Sequence, residues 1–128
     1  LPDAKVIGIE PENADDAMRS YKSGKLVPSV NPNTIADGLR TSLSELTFSV
    51  IRENVDDIVT VAEMEIVDAM RFLWERMKMV VEPSGAVPVA GAIKISRQVK
   101  PKSRIGVIVS GGNVDLDSFF KSYESRIS

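Results

Sequence analysis

"DDIVTV" at residues 56–61 runs directly into "AEMEIVDAMRFLWERMKMVV" at residues 62–81. The first stretch is short, apolar and β-branched, which predicts a buried strand. In the second, apolar residues recur at steps of three and four, which predicts an amphipathic helix over 62–81. A strand that passes straight into a helix is the repeating unit of α/β proteins, so this stretch decides the fold class.

The same alternation continues on both sides of this unit. The apolar runs 4–10 ("AKVIGIE") and 104–110 ("RIGVIVS") predict two more strands. Asn13 is the expected N-cap of the first helix, Gly24 its stop, and Ser44 the cap of the second. We therefore expect an α/β fold, an open and largely parallel sheet with helices on both faces. Three strands are few for such a sheet, so further strands are expected upstream of Leu1. Further helices are predicted over 12–24, 43–55, 85–98 and 115–127, the third of them rich in small residues and so suited to close packing.

Composition narrows the possible chemistry. The 128 residues include 16 basic and 18 acidic side chains, and neither histidine nor cysteine. This excludes disulfides, thiol nucleophiles, Ser-His-Asp triads and zinc held by Cys or His. The balanced charge gives no reason to expect nucleic acid, and no apolar run is long enough for a membrane span, so we expect a cytoplasmic protein. Any chemistry must come from carboxylates, lysines, hydroxyls, backbone groups or a bound cofactor.

Three stretches carry candidate sites. In "VSGGNVDL" (109–116), Gly111 and Gly112 let a planar ligand approach the backbone at a strand end, or form a tight turn stabilised by Asn113. The motif matches neither the P-loop nor the dinucleotide fingerprint. In "EPENADD" (10–16), Glu10, the Ala14 carbonyl and Asp16 offer oxygens to a hard cation, although spacing alone favours acids that complement a helix dipole.

The third stretch, "RMKMVVEPSGA" (76–86), contains two further candidates. Glu82 ends an apolar stretch and is either desolvated against a partner or exposed in a loop. Lys78 near a predicted helix end either complements the dipole or meets a phosphate. Residue spacing alone favours the simpler interpretation for both.

Five stretches together resemble eukaryotic-type serine racemases, within the fold-type II group of pyridoxal-phosphate enzymes that includes serine and threonine dehydratases. They are "GIEPENADDA", "NTIADGLR", "VDDIVTV", "MKMVVEPSGAV" and "IGVIVSGGNVDL", in order and in near register over essentially the whole chain. The resemblance implies that residues 1–128 form a single segment, the C-terminal part of the cofactor-binding large domain. The upstream part of that domain and the small domain are then absent, and this chain requires the upstream part of the same protein.

The resemblance also implies specific roles. Ser110 corresponds to the group that hydrogen-bonds the pyridine nitrogen of pyridoxal 5'-phosphate. Gly38 and Gly111 line the cofactor pocket, and Glu82 lies beside the cofactor ring. Glu10, the Ala14 carbonyl and Asp16 correspond to a site for Mg²⁺, Mn²⁺ or Ca²⁺. Lys78 and Asn113 correspond to contacts of an activating ATP at the interface of a homodimer.

The catalytic residues implied by the resemblance lie outside this chain. The cofactor lysine, the serine base of the opposite face and the glycine-rich phosphate loop are all expected upstream of Leu1, so this chain alone should be inactive. The whole enzyme would interconvert L- and D-serine and, in competition, eliminate water to give pyruvate and ammonia. Two alternatives stay open: a threonine or 3-hydroxyaspartate dehydratase, and a non-catalytic module that binds metal or nucleotide if the chain is complete.

Overall fold

A computed structural model describes residues 3–127 and shows helices packed on a small parallel sheet. Its two strands pair with Ile7 opposite Asp57 and Pro11 opposite Val61. Among the described residues, no helix combines the length and apolar character needed to cross a bilayer. The elements in chain order are β1 (Ile7–Pro11), α1 (Asp16–Ser23), a 3-10 turn (Asp37–Leu39), α2 (Glu45–Asn54), β2 (Asp57–Val61), α3 (Glu63–Phe72), a π-helical turn (Leu73–Met77), α4 (Pro83–Ser96) and α5 (Leu116–Ile127).

The strand–helix unit predicted over residues 56–81 forms, with a helix shorter than predicted. β2 ends at Val61, and Glu65 caps the start of α3 by accepting the Ala62 N–H at 2.8 Å. The apolar face of α3 then packs against α4, and α4 covers the sheet. This places the main core between the two helices, because each buries an apolar stripe against the other. The buried core residues include Val61, Ile66, Ala69, Met70, Leu73, Val81, Ala86, Val87 and Ala90.

The helix predicted over 62–81 ends early. Regular α-helix stops at Phe72, a single π-helical turn follows, and Lys78 leaves the helix with a φ of 58°. The N–H groups of Lys78 and Met79 both donate to the Leu73 carbonyl, which closes the helix end. The chain must be extended at Glu82 because the residue before a proline disfavours helical geometry. The apolar residues 79–81 therefore belong to a connecting segment.

The strand predicted over 104–110 does not form. The described residues include no strand beside this segment, and the sheet has two strands instead of three. Ile105, Val107 and Ile108 are exposed, the last by 83%. A strand needs neighbouring backbone groups to satisfy its own N–H and C=O groups. Periodicity detects the suitable side chains but cannot supply that neighbour.

The predicted helix ends were right in two cases of three. Gly24 closes α1 with a φ of 70°, and Ser44 caps α2 by accepting the Thr47 N–H at 3.2 Å. The prediction for Asn13 was wrong, because α1 begins at Asp16. A turn closed by the N–H of Ala14 and the carbonyl of Pro11 delays the helix start.

α4 lies close against β1 because it lacks a side chain at the contact. A Cβ atom on Gly91 would lie 2.4 Å from Cδ1, 2.5 Å from Cγ1 and 2.7 Å from Cγ2 of Ile9. Both branches of the isoleucine would have to move to admit it. The small residues of this helix are therefore a condition of its packing, as their enrichment in the sequence predicted.

We expect the Gly91→Ala substitution to destabilise the protein by about 1–3 kcal/mol through overpacking, despite the gain of about 1 kcal/mol that alanine brings to a helix. Thermal unfolding measures the change. Gly106→Ala is the matched control, since a Cβ there would meet nothing within 4 Å. Equal melting temperatures for the two variants would contradict the contact.

Candidate functional site

The first turn of α4 joins two segments that are distant in sequence. The Glu82 N–H donates to the Gly111 carbonyl at 3.3 Å, and Oε2 of Glu82 accepts the Asn113 N–H at 3.1 Å. Glu82 therefore holds the 110–113 segment by its backbone and its side chain together. The indole N–H of Trp74 donates to the carbonyl of Val81, the residue before Glu82, at 3.1 Å and fixes its position.

Two glycines make this approach possible. A Cβ on Gly85 would lie 1.8 Å from the Ser110 carbonyl oxygen, which is backbone and cannot rotate away. A Cβ on Gly111 would lie 2.0 Å from Oε1 of Glu82, and the φ of Gly111 is 78°, a region that favours glycine. The missing Cβ of Gly111 therefore makes room for the Glu82 carboxylate.

The 3-10 turn at Asp37–Leu39 is a third segment that contacts the start of α4. The Gly38 N–H donates to Oγ of Ser84 at 3.1 Å and also to Oδ1 of Asp37 at 3.0 Å. A Cβ on Gly38 would lie 3.0 Å from the Ser84 hydroxyl oxygen, a close contact. Ser84 thus links the Gly38 loop to the start of α4.

The structure therefore brings the four predicted cofactor residues, Gly38, Glu82, Ser110 and Gly111, to one end of α4. Ser110 and both glycines are exposed, and Glu82 is partly buried. An exposed surface made of glycines and one hydroxyl fits a flat heteroaromatic ring, because no bulky side chain blocks its face.

Sequence reasoning missed the linking role of Ser84 and the contact at Gly85. Their position directly after Pro83, at the start of a helix, was the available signal.

The predicted cation residues lie at the carboxyl end of β1. The carboxylate of Glu10 accepts the N–H groups of Ala17 at 3.2 Å and Met18 at 2.7 Å. It thus caps α1 from a neighbouring strand, which is the function that the sequence predicted for Asn13. Asp16 and Ala14 are buried, with 2% and 4% of their surfaces exposed.

Burial is the main cause that raises the pKa of Glu10 to about 7; the negative charges of Asp16 and Asp15 add to the rise, and the two backbone hydrogen bonds oppose it. Carboxylates crowded in a poorly solvated place suit a bound cation, which would favour the charged form. Among residues 3–127, no three acidic side chains form a metal cluster. The predicted set consists of two carboxylates and a carbonyl, which are oxygen ligands of the kind that a hard cation prefers.

The two residues predicted to contact ATP each make a contact of their own in the structure. Nζ of Lys78 donates to the Glu75 carbonyl at 2.8 Å, within its own helix end, and Asn113 is held through its N–H by Glu82. Both side chains are exposed. Lys78 thus closes the π-helical turn, which agrees with the simpler interpretation of its position.

Comparison with known proteins identifies the family. Residues 1–111 match the family described as "Pyridoxal-phosphate dependent enzyme". The match covers most of the chain, which therefore belongs to the pyridoxal-phosphate dependent enzymes.

Individual relatives differ in activity. Serine racemase of Arabidopsis thaliana is 46% identical over 97% of this chain and 39% of the relative. L-threo-3-hydroxyaspartate ammonia-lyase of Saccharomyces cerevisiae is 48% identical over 99% of this chain and 38% of the relative. The solved structure of maize serine racemase is 42% identical, with a TM-score of 0.84 over 98% of this chain and 40% of that chain.

These findings confirm the fold class and the resemblance to serine racemases. The chain spans about two fifths of the length of the curated relatives that it matches. A racemase and an ammonia-lyase match at similar identity, so identity alone does not separate the two activities.

We expect Asp16→Asn to lower the pKa of Glu10 from about 7, because the substitution removes a nearby like charge. A pH titration of the Glu10 side-chain carboxyl carbon by NMR, without divalent cations, measures the change. Glu12→Gln is the control, since Glu12 is not among the charges that act on Glu10. A Glu10 pKa that Asp16→Asn leaves unchanged would contradict the geometry of this acidic site.

Proposed function

We propose that the protein that carries this chain is a pyridoxal-phosphate enzyme that interconverts L- and D-serine and, in competition, eliminates the β-hydroxyl to give pyruvate and ammonia. The observation that carries the proposal is the convergence at α4. Gly38, Glu82 and Ser110 come from three separate parts of the chain, and the first turn of one helix holds them together. Membership of the cofactor's family supports the same site.

In this proposal each residue has a distinct task. The exposed Ser110 hydroxyl hydrogen-bonds the ring nitrogen of the cofactor, and Glu82 holds the Ser110 backbone segment in place. Gly38 and Gly111 let their segments lie against Ser84 and Glu82 at the start of α4, beside the place of the ring. When bound, pyridoxal phosphate withdraws electrons from the α-carbon of the substrate, so that its proton becomes acidic. A neutral hydroxyl at Ser110 moderates this withdrawal, because it does not enforce protonation of the ring nitrogen as a carboxylate would.

The same site would serve a dehydratase of threonine or 3-hydroxyaspartate. The observation that favours this second candidate is the 48% identity to the yeast ammonia-lyase. Incubation of the purified complete protein with L-serine separates the two candidates. Chiral chromatography that detects D-serine supports the racemase. Ammonia from L-threo-3-hydroxyaspartate or threonine, without D-serine from L-serine, supports the dehydratase.

The finer assignments belong to the same proposal. Glu10, the Ala14 carbonyl and Asp16 would hold Mg²⁺, Mn²⁺ or Ca²⁺, which would neutralise the acidic site and fix the start of α1. ATP would act as an activator near Lys78 and Asn113 in a homodimer. The lysine and serine bases would come from the part of the protein outside this chain.

We expect Ser110→Ala to weaken cofactor binding about two- to tenfold, the range for one neutral hydrogen bond. Titration of the apoprotein with pyridoxal phosphate, followed by visible absorbance, measures the affinity, and assays with L-serine measure the loss of activity. Ser103→Ala is the control, because Ser103 is exposed in a turn away from the site. Unchanged affinity and unchanged activity in Ser110→Ala would rule out the role given to its hydroxyl.

Magnesium should raise the melting temperature of the protein, since a ligand that binds the folded state stabilises it by about 2.7 kcal/mol at a hundred times its Kd. Asp16→Asn should abolish most of that rise, because it removes the charge of a buried ligand. Glu12→Gln should keep the rise. The cation assignment is wrong if the melting temperatures of Asp16→Asn and the parent respond to magnesium equally.

A further inference from the structure

The segment that leads to Gly38 has a buried backbone. Thr34 and Ala36 are fully buried, and only 7% of the Ile35 surface is exposed. Gly38 itself is exposed, so the chain rises from the core to the cofactor surface within a few residues. Whatever fixes residues 34–36 therefore sets where Gly38 lies. Neither the sequence pattern nor the proposed function assigns any residue to this task.

Two charged side chains hold the peptide unit between Thr34 and Ile35. Oε2 of Glu63, in the first turn of α3, accepts the Ile35 N–H at 2.9 Å. The guanidinium of Arg40 donates to the Thr34 carbonyl from Nε at 2.9 Å and from Nη2 at 2.5 Å. The N–H and C=O of one peptide group point in opposite directions, so a carboxylate and a guanidinium on the two sides match its dipole.

This arrangement fixes the orientation of the peptide plane as well as its position. Hydrogen bonds with one ionised partner are roughly twice as strong as neutral ones, and here both are of that kind. Glu63 belongs to the strand–helix unit of the core, whereas Arg40 follows the 3-10 turn on the surface. Glu63 thus ties the Gly38 segment to α3, and Arg40 holds the same peptide from within that segment. Ser84 ties the segment to α4 at its other end.

We propose that Glu63 and Arg40 are positioning residues that orient the Thr34–Ile35 peptide and thereby set the place of Gly38 against the cofactor. The proposal rests on the proposed function, since it assumes that Gly38 lines the cofactor. Neither side chain needs to touch the cofactor. Their effect is on cofactor affinity and on the rigidity with which the ring is held.

The experiment compares Glu63→Leu and Arg40→Met with Glu63→Gln, which keeps an acceptor oxygen. Controls are Asp68→Asn, an exposed acid on α3, and Arg97→Met, an exposed arginine after α4. Amide hydrogen exchange at Ile35 in the apoprotein reports the hold on the peptide. Titration with pyridoxal phosphate gives the affinity, and visible circular dichroism of the bound cofactor reports how rigidly the ring is held.

We expect Glu63→Leu and Arg40→Met to speed exchange at Ile35, to weaken cofactor binding about tenfold and to reduce the visible dichroism. Glu63→Gln should restore most of the affinity, and the controls should match the parent. Faster exchange with unchanged affinity and dichroism would overturn the positioning role, and so would unchanged exchange. If Glu63→Leu does not fold, Arg40→Met decides, because its site is on the surface. A parent that does not bind pyridoxal phosphate would instead overturn the proposed function, with exchange at Ile35 still testing the hold on the peptide.

Discussion

The architecture depends on how closely α4 can approach its neighbours. The Gly85 backbone contacts the Ser110 carbonyl, and Gly91 contacts the side chain of Ile9, in both cases where a Cβ would not fit. α4 therefore contacts the 110–113 segment at its first turn and the sheet at Gly91. The core between α3 and α4 forms around this fixed helix, since α4 supplies Ala86, Val87 and Ala90 to it.

Carboxylates do much of the structural work in a chain without histidine or cysteine. Glu10 accepts N–H groups of α1, Glu63 accepts the Ile35 N–H, and Glu82 accepts the Asn113 N–H. Each lies at the end of a strand or at the start of a helix, and each reaches a backbone donor on another segment. A charged acceptor strengthens such a bond relative to a neutral one. The loops around the candidate sites are thus held by side chains that composition alone suggests are solvated.

Much of the fold was predictable because it follows from local pattern. The βα unit at 56–81, the caps Gly24 and Ser44 and the small-residue helix were all read from residue type and spacing. The prediction failed where contacts between distant segments decide the local structure. Segment 104–110 has no neighbouring strand among the described residues, and the capping function predicted for Asn13 belongs to the distant Glu10. The four predicted cofactor residues came from the resemblance, because spacing alone left Gly38, Glu82, Ser110 and Gly111 ambiguous. Glu63 and Arg40 leave no sequence signal, since their contact with one peptide is a property of the folded chain.

The shared helix has a mechanical consequence for the two segments that are attached to its start. Gly85 and Gly91 are about 9 Å apart along α4, at about 1.5 Å per residue. Both the Gly38 loop and the 110–113 segment are attached to the N-terminal end of this helix, and Pro88, which lies between the two glycines, removes one N–H from the helix hydrogen bonds. A displacement of the first turn of α4 must therefore carry both segments together. The two segments therefore have little freedom to separate from each other, and a bend of the helix at Pro88 would shift them as one unit relative to the sheet.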